Sequence, residues 1–440
     1  MTGGRWIFLV LIFDAAFLRA AILPTNDSTY HRDVAPILNR HCVVCHRPND
    51  IGPMSLETYQ EARPWAAASR EAVATRAMPP WHGDPKSHQF SNDPRLTDAE
   101  IATLISWTKT GAKEGPGVNQ PASAPLPAGW HIRPDVVLTF PEEQQVPASA
   151  QDEYEYIHVP THFTEDKWVQ VAEVLPGNRR IVHHATVSVW DEPAAPQPDA
   201  TAPAVKPVEY RYRTGKVNHI RPEIPVADDG CATPTGGDWP DNVVKPGIFV
   251  AIFLPGHVPE VRPDGYAIRI PKDAILEVQI HYSNRTGQAM TDRTSIGLTF
   301  AKAPVSQPVE QFEIWNNLFA LPPGDADHRV TSCYTLDRDV LALAYTAHMH
   351  FRGKSFQTEA RFPDGRTEIL FSVPHYDFHW QETYMLTRPP LLPKGTLLRS
   401  TATFDNSANN PLNPDPTKLI RWGEPSTEEM MGFWLAFTKP

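Results

Sequence analysis

Forty-six of the 440 residues are proline. Proline locks φ and donates no backbone hydrogen bond, so one residue in about ten, against a usual ~5%, confines this chain to short segments joined by turns. The expected bulk is therefore all-β. A chain of 440 residues exceeds one ordinary domain and predicts two or three, and 41% hydrophobic content is enough to give each a core. The formal charge of -11 and a pI near 5.9 disfavour nucleic acid and anionic membranes as partners.

Residues 1–21 read as an export signal: Arg5, the apolar run from Trp6 to Phe13 interrupted at Asp14, then small residues around Ala15, Ala16, Ala20 and Ala21. The run is too short to span a bilayer comfortably, and no other segment could span one. The expectation is an extracytoplasmic, periplasmic protein with no membrane span in the mature chain.

Residues 28–115 carry Cys42-Val43-Val44-Cys45-His46, the Cys-x-x-Cys-His pattern of c-type haem attachment, in which both thiols add to the haem and the histidine ligates iron. A redox dithiol or half a zinc site competes with that reading, but neither needs the histidine. Val34, Ile37 and Leu38 at helical spacing predict a short helix running into the motif. Thr97 and Glu100 form a capping-box signature ahead of Ile101, Leu104 and Ile105, with Gly111 as the stop. Between the helices, Met78 beside Pro79 and Pro80 is the favoured distal ligand, with Met54 and His82 as rivals. This region resembles bacterial c-type cytochromes, which implies a small all-α domain with one covalent haem c.

A linker is expected at 116–134, rich in Gly, Ala and Pro. Beyond it, strand-like runs recur at Trp168–Val174, Ile181–Trp190, Ile248–Leu254, Ile275–Ser283, Ser295–Phe300, Val340–Tyr345, Phe356–Phe362, Leu397–Phe404 and Gly432–Phe437. Four of the motifs there could ligate metal. His183-His184 lies in a strand pattern, where neighbours point to opposite faces unless a bulge re-aims one. Gln279 and His281 share a strand face, as do His348 and His350, and Met430 and Met431 precede the last strand. Any one of these motifs alone could be structural, the histidines as core imidazoles satisfied by hydrogen bonds.

Together and in this order, the motifs resemble the copper type II ascorbate-dependent monooxygenases, whose members include peptidylglycine α-hydroxylating and dopamine β-monooxygenases. The resemblance covers roughly 150–440. It implies two tandem antiparallel jelly-roll sandwiches, at 135–308 and 309–440, with one copper on each. His183, His184 and His281 would hold an electron-storing copper. His348, His350 and Met430 would hold the copper that meets dioxygen and substrate, a thioether beside imidazoles favouring Cu(I). Gln279 would support the first site from behind, and register decides between Met430 and Met431.

The chain departs from the peptidylglycine enzymes at Thr346, where they carry arginine, and at Trp434, where they carry tyrosine. Those groups anchor a substrate carboxylate, so another small substrate is expected. Of the family's disulfides only Cys231 and Cys333 remain as a possible pair. The implied activity is hydroxylation of an activated C–H bond with O2. Electrons would come from an ascorbate-like reductant or redox protein and pass through the haem to the histidine-only copper. The alternative is an extracytoplasmic electron-transfer or copper-binding cytochrome without turnover.

Overall fold

The computed structural model describes residues 28–48, 52–117, 129–149, 153–189, 229–231, 248–254, 257, 259–316, 318–423 and 425–440, so the expected export signal lies outside the described residues. The chain is mostly β, with its helices gathered at the front. A π-helical turn at Tyr30–Val34 runs into α1 (Ala35–His41); α2 spans Ala66–Ala74 and α3 Asp98–Lys109. The capping box of α3 is closed both ways: Glu100 N–H donates to Thr97 Oγ1 (3.2 Å) and Thr97 N–H to Glu100 Oε2 (2.9 Å). Gly111, at φ +94°, lets the chain leave in the left-handed region. Val34, Leu38, Leu104 and Trp107 make one small core.

Two β units follow. In the first, β1 (Val136–Thr139), β2 (Glu153–Pro160), β3 (Lys167–Leu175), β4 (Val182–Val189), β5 (Ile248–Phe253), β6 (Tyr266–Ile270), β7 (Ile275–Tyr282) and β8 (Ser295–Phe300) make two antiparallel sheets. Their orders are β1-β8-β3-β6 and β2-β7-β4-β5. Val174, Ile268 and Leu298 from one face meet Val187, Leu276 and Ile280 from the other in a shared core.

The second unit repeats the plan. Here β9 (Glu310–Trp315), β10 (His328–Thr335), β11 (Val340–His348), β12 (Gly353–Arg361), β13 (Thr367–Val373), β14 (Thr383–Met385), β15 (Leu397–Phe404) and β16 (Gly432–Thr438) form sheets β9-β16-β11-β14 and β13-β12-β15-β10. Tyr345, Phe433 and Leu435 pack against Phe356, Phe371 and Phe404 between them. Cys231 and Cys333 form a disulfide, their Cα atoms 4.9 Å apart.

The linker boundary moves. Trp130 and Ile132, placed in the linker by composition, are buried with Val171 on the first unit. Gly297 makes room for Trp130: a Cβ there would sit 2.6 Å from its ring. The helical part is pinned to both units. Arg47 donates to His131 Nε2 (2.8 Å), and His131 Nδ1 meets Glu173 Oε1 (2.7 Å) on β3. Asn92 Nδ2 donates to the Thr383 carbonyl (2.6 Å) and Met385 N–H to Asn92 Oδ1 (3.0 Å), clasping β14. Among the described residues no helix is long and apolar enough to cross a membrane.

Candidate functional site: two histidine clusters and a cysteine-lined cavity

Adjacent histidines on a flat strand cannot share a face, and β4 solves this with a bulge. Its pairing with β7 shifts register between Val182↔Tyr282 and His184↔His281, so His183 is the extra residue. The ligand atoms of His183, His184 and His281 consequently lie within 4.8 Å of one another. His184 Nδ1 sits 3.2 Å from His183 Nδ1 and 3.1 Å from His281 Nδ1. Two nitrogens bound at about 2.0–2.1 Å to one ion, about 100° apart, would be separated by about 3.1–3.2 Å, so the donor set fits a metal. Tyr154 stacks on the His281 ring at 4.3 Å. Burial first, and then the neighbouring imidazoles, hold His184 well below the usual histidine range, so it is a neutral donor.

The second cluster is built differently. His348 ends β11, and its Nδ1 donates to Gln381 Oε1 (2.7 Å), whose amide N–H is committed to the Phe378 carbonyl (3.0 Å). His350 Nδ1 donates to the Glu428 carbonyl (3.2 Å). With both Nδ1 protons spent on oxygen, each ring keeps Nε2 as its lone-pair donor. Burial pushes His348 down to about 4 and His350 well below the usual range.

Glu429 organises the remaining ligand. Its fully buried carboxylate accepts the backbone N–H groups of His350 (2.8 Å), Arg352 (2.6 Å) and Met430. It thereby ties the histidine strand end to the methionine segment 79 residues away. Burial, opposed by those bonds and by Arg352, pushes its carboxyl up to about 8. Met431 is wholly buried in the second core, whereas Met430 is only part-buried. Register therefore leaves Met430 as the methionine outside the core.

The clusters meet at Phe378. Its ring stacks with His183 at 5.7 Å and stands edge-on to His350 at 5.8 Å. Tyr154 of the first unit also pairs with Ser426 Oγ of the second at 2.9 Å.

The cysteines line a separate cavity of about 970 Å³, at the top of the range of about 300–1,000 Å³ common for cofactor sites. Cys42, Cys45, His46, Met54 and Met78 are on its wall, and Leu343, Ala344 and Ala436 of the second unit close it opposite. His46 Nδ1 lies 3.3 Å from the Met54 carbonyl, which turns Nε2 outward. Gly52 permits this approach, because a Cβ would fall 2.7 Å from both the Cys45 carbonyl and His46 Nδ1. Burial, with Cys45 adding to it, pushes the Cys42 thiol up to about 12, against a redox dithiol, which needs an acidic thiol. Met78 is 43% exposed and Met54 packs on the helical core, while His82 is not on the cavity wall.

Gln279 shares the strand face expected of it, but its amide donates to the Tyr156 hydroxyl across β2 rather than to a histidine. His257 pairs with Glu382 at 3.7 Å. The polar loop after Phe404 braces the second cluster, because Asn406 accepts from Arg352 Nε (2.9 Å) and donates to the Lys418 carbonyl (3.0 Å). Gln381, Phe378 and Glu429 carry no signal in the sequence, since their partners lie far along the chain.

No protein-family model matches the chain, and comparison with curated proteins finds no match. Among solved structures, PNGF-II in a P21 space group is similar at a TM-score of 0.28 and 14% identity, over 68% of this chain. The chain covers 65% of that structure.

Proposed function

We propose that this chain is a copper-dependent monooxygenase that hydroxylates an activated C–H bond of a small substrate with O2, drawing electrons through a covalent c-type haem. The observation that carries the reading is the shared wall at Phe378, where His183 of an all-imidazole set and His350 of a methionine-flanked set touch one ring. In this reading 28–115 is a cytochrome c domain and the β units are tandem jelly rolls. When bound, copper would supply dioxygen reduction and one-electron steps, and haem the relay of electrons.

The chain's own residues prepare for that chemistry. His183, His184 and His281 converge through one bulge, and burial keeps His184 neutral. Gln381 and Glu428 hold the Nδ1 protons of His348 and His350, which orients both Nε2 atoms as donors. Glu429 joins the backbone of His350 to that of Met430. On the haem side, Cys42, Cys45 and His46 occupy one turn, and Met78 lines the same cavity. Cys45 and Phe253 border the same small cleft, and Phe253 pairs with Ala185, the residue after His184. That shared cleft supports electron delivery to the all-imidazole set. The Cys231–Cys333 disulfide agrees with an exported, periplasmic protein.

The test is a metal count on the copper-reconstituted full chain beside Met430→Ala and His183→Ala, with iron measured in the same samples. Two coppers per haem, with each variant losing about one, is the expected result. One copper or none in the unaltered chain would leave an exported cytochrome that turns nothing over.

A further inference from the structure

The helical part grips the second unit next to a support of the His348–His350 pair. Asn92 holds β14 at Thr383 and Met385, and Thr383 in turn pairs with Thr346 on β11, their Oγ1 atoms 3.0 Å apart. Just ahead of that clasp stands Gln381, whose Oε1 accepts the His348 Nδ1 proton (2.7 Å). Both chain neighbours of Gln381, Trp380 and Glu382, line the cavity that also carries Cys42, Cys45 and His46 on its wall. One short segment therefore runs from the cavity wall to a histidine of the pair.

Gln381 is fixed in that position. It is 6% exposed, its amide is committed to the Phe378 carbonyl (3.0 Å), and Trp380 N–H closes a turn on the Asp377 carbonyl (3.0 Å). From the Trp380 backbone to the His348 ring the connection is covalent except for one hydrogen bond. Electrons tunnel through covalent and hydrogen bonds far more readily than across van der Waals gaps, and the imidazole carries the coupling on to Nε2, the lone-pair donor. The trio is approached elsewhere, through the cleft at Cys45 and Phe253. The helical part thus has a separate way to each cluster.

We propose that Trp380 and Gln381 form a direct electron lead from the haem cavity to His348, so that the pair receives electrons without the trio as intermediary. The inference rests on reading the cavity as a c-type haem site and His348 as a copper ligand. It gives Gln381 a second positioning role, coupling His348 to the cavity as well as fixing its tautomer. The step moves one electron and no atom: haem iron is oxidised from ferrous to ferric, and copper(II) at the pair is reduced to copper(I). With the Met430 thioether in the set, copper(I) is favoured and the transfer runs toward the pair.

The experiment is flash photoreduction of the full-length chain, holding ferric haem and copper(II), without dioxygen or substrate. A free flavin photoreductant gives the haem an electron, absorbance follows its reoxidation, and EPR of the frozen product counts the remaining copper(II). In His183→Ala, which loses the copper of the trio, reoxidation should stay within twofold of the unaltered chain, and zinc in place of copper should abolish it. Adding Gln381→Met, at copper concentrations that fill the pair, should slow it at least tenfold, whereas Gln381→Glu, which keeps the acceptor oxygen, should restore it. Reoxidation that requires the trio's copper, or that Gln381→Met leaves unchanged, would overturn the inference. Copper and haem counts on the same samples separate the two readings. Full occupancy with an inert pair overturns the lead alone, whereas a chain that takes up no copper or no haem defeats the monooxygenase reading and the lead with it.

Discussion

The two histidine clusters use the same side chain in opposite ways. In the trio the Nδ1 atoms face one another at 3.1–3.2 Å, so the imidazoles converge on a common point. In the His348–His350 pair each Nδ1 has its own oxygen acceptor and the outward Nε2 is the donor. The trio is thus shaped by a backbone bulge, and the pair by side-chain and carbonyl partners behind it. A site built by backbone should tolerate loss of its neighbours; a site built by hydrogen bonds should not.

The sharpest way to break that contrast is at Glu429. Glu429→Ala strips the acceptor from three backbone N–H groups and takes from the buried Arg352 its neighbouring carboxylate, leaving it only the Asn406 and Thr427 oxygens, which should cost about 3–5 kcal/mol in denaturant unfolding. Copper at the trio should survive in whatever fraction folds. Equal loss from both clusters would erase the distinction.

Acid tests the pair next. His348 has its pKa lowered to about 4, so below the ordinary histidine value the unfolded chain binds a proton that the folded chain refuses. Stability is therefore full above about pH 6.5 and falls as pH drops toward 4, by about 3 kcal/mol for this group. A copper-free melting series from pH 7 to 4 measures it, and His348→Gln should flatten the slope.

Gln381→Ala should weaken metal at the pair by about 10–100-fold, through loss of the fixed tautomer, with no change at the trio. Competition titration with a copper chelator separates the two sites. Smallest is Gln279→Ala. Its amide serves Tyr156, so the expected cost is about 0.5–1.5 kcal/mol of stability and no change in copper count. A lost copper there would return Gln279 to a supporting role at the trio.

Local pattern carried much of this. Each of the nine strand-like runs falls on a strand to within one residue at its ends over the described residues, and the Thr97–Glu100 box and the Gly111 stop stand where the sequence puts them. Strands such as Glu153–Pro160 and His328–Thr335 are not legible in sequence because their charged and polar residues dilute the alternation. The helix Ala66–Ala74 is hidden because its alanines give little apolar contrast.

What the sequence determined by itself was the inventory: two thiols and a histidine in one turn, histidine pairs at strand spacing, a methionine before the last strand, and short segments punctuated by proline. These are local, because periodicity and turn chemistry act within a few residues. Tertiary structure alone decided the rest. It set the bulge that turns His183 toward His184, the burial that separates Met430 from Met431, and the Gln381 acceptor. Each depends on strands distant in the chain, whose register is fixed only when the two faces of a sandwich close on a common core.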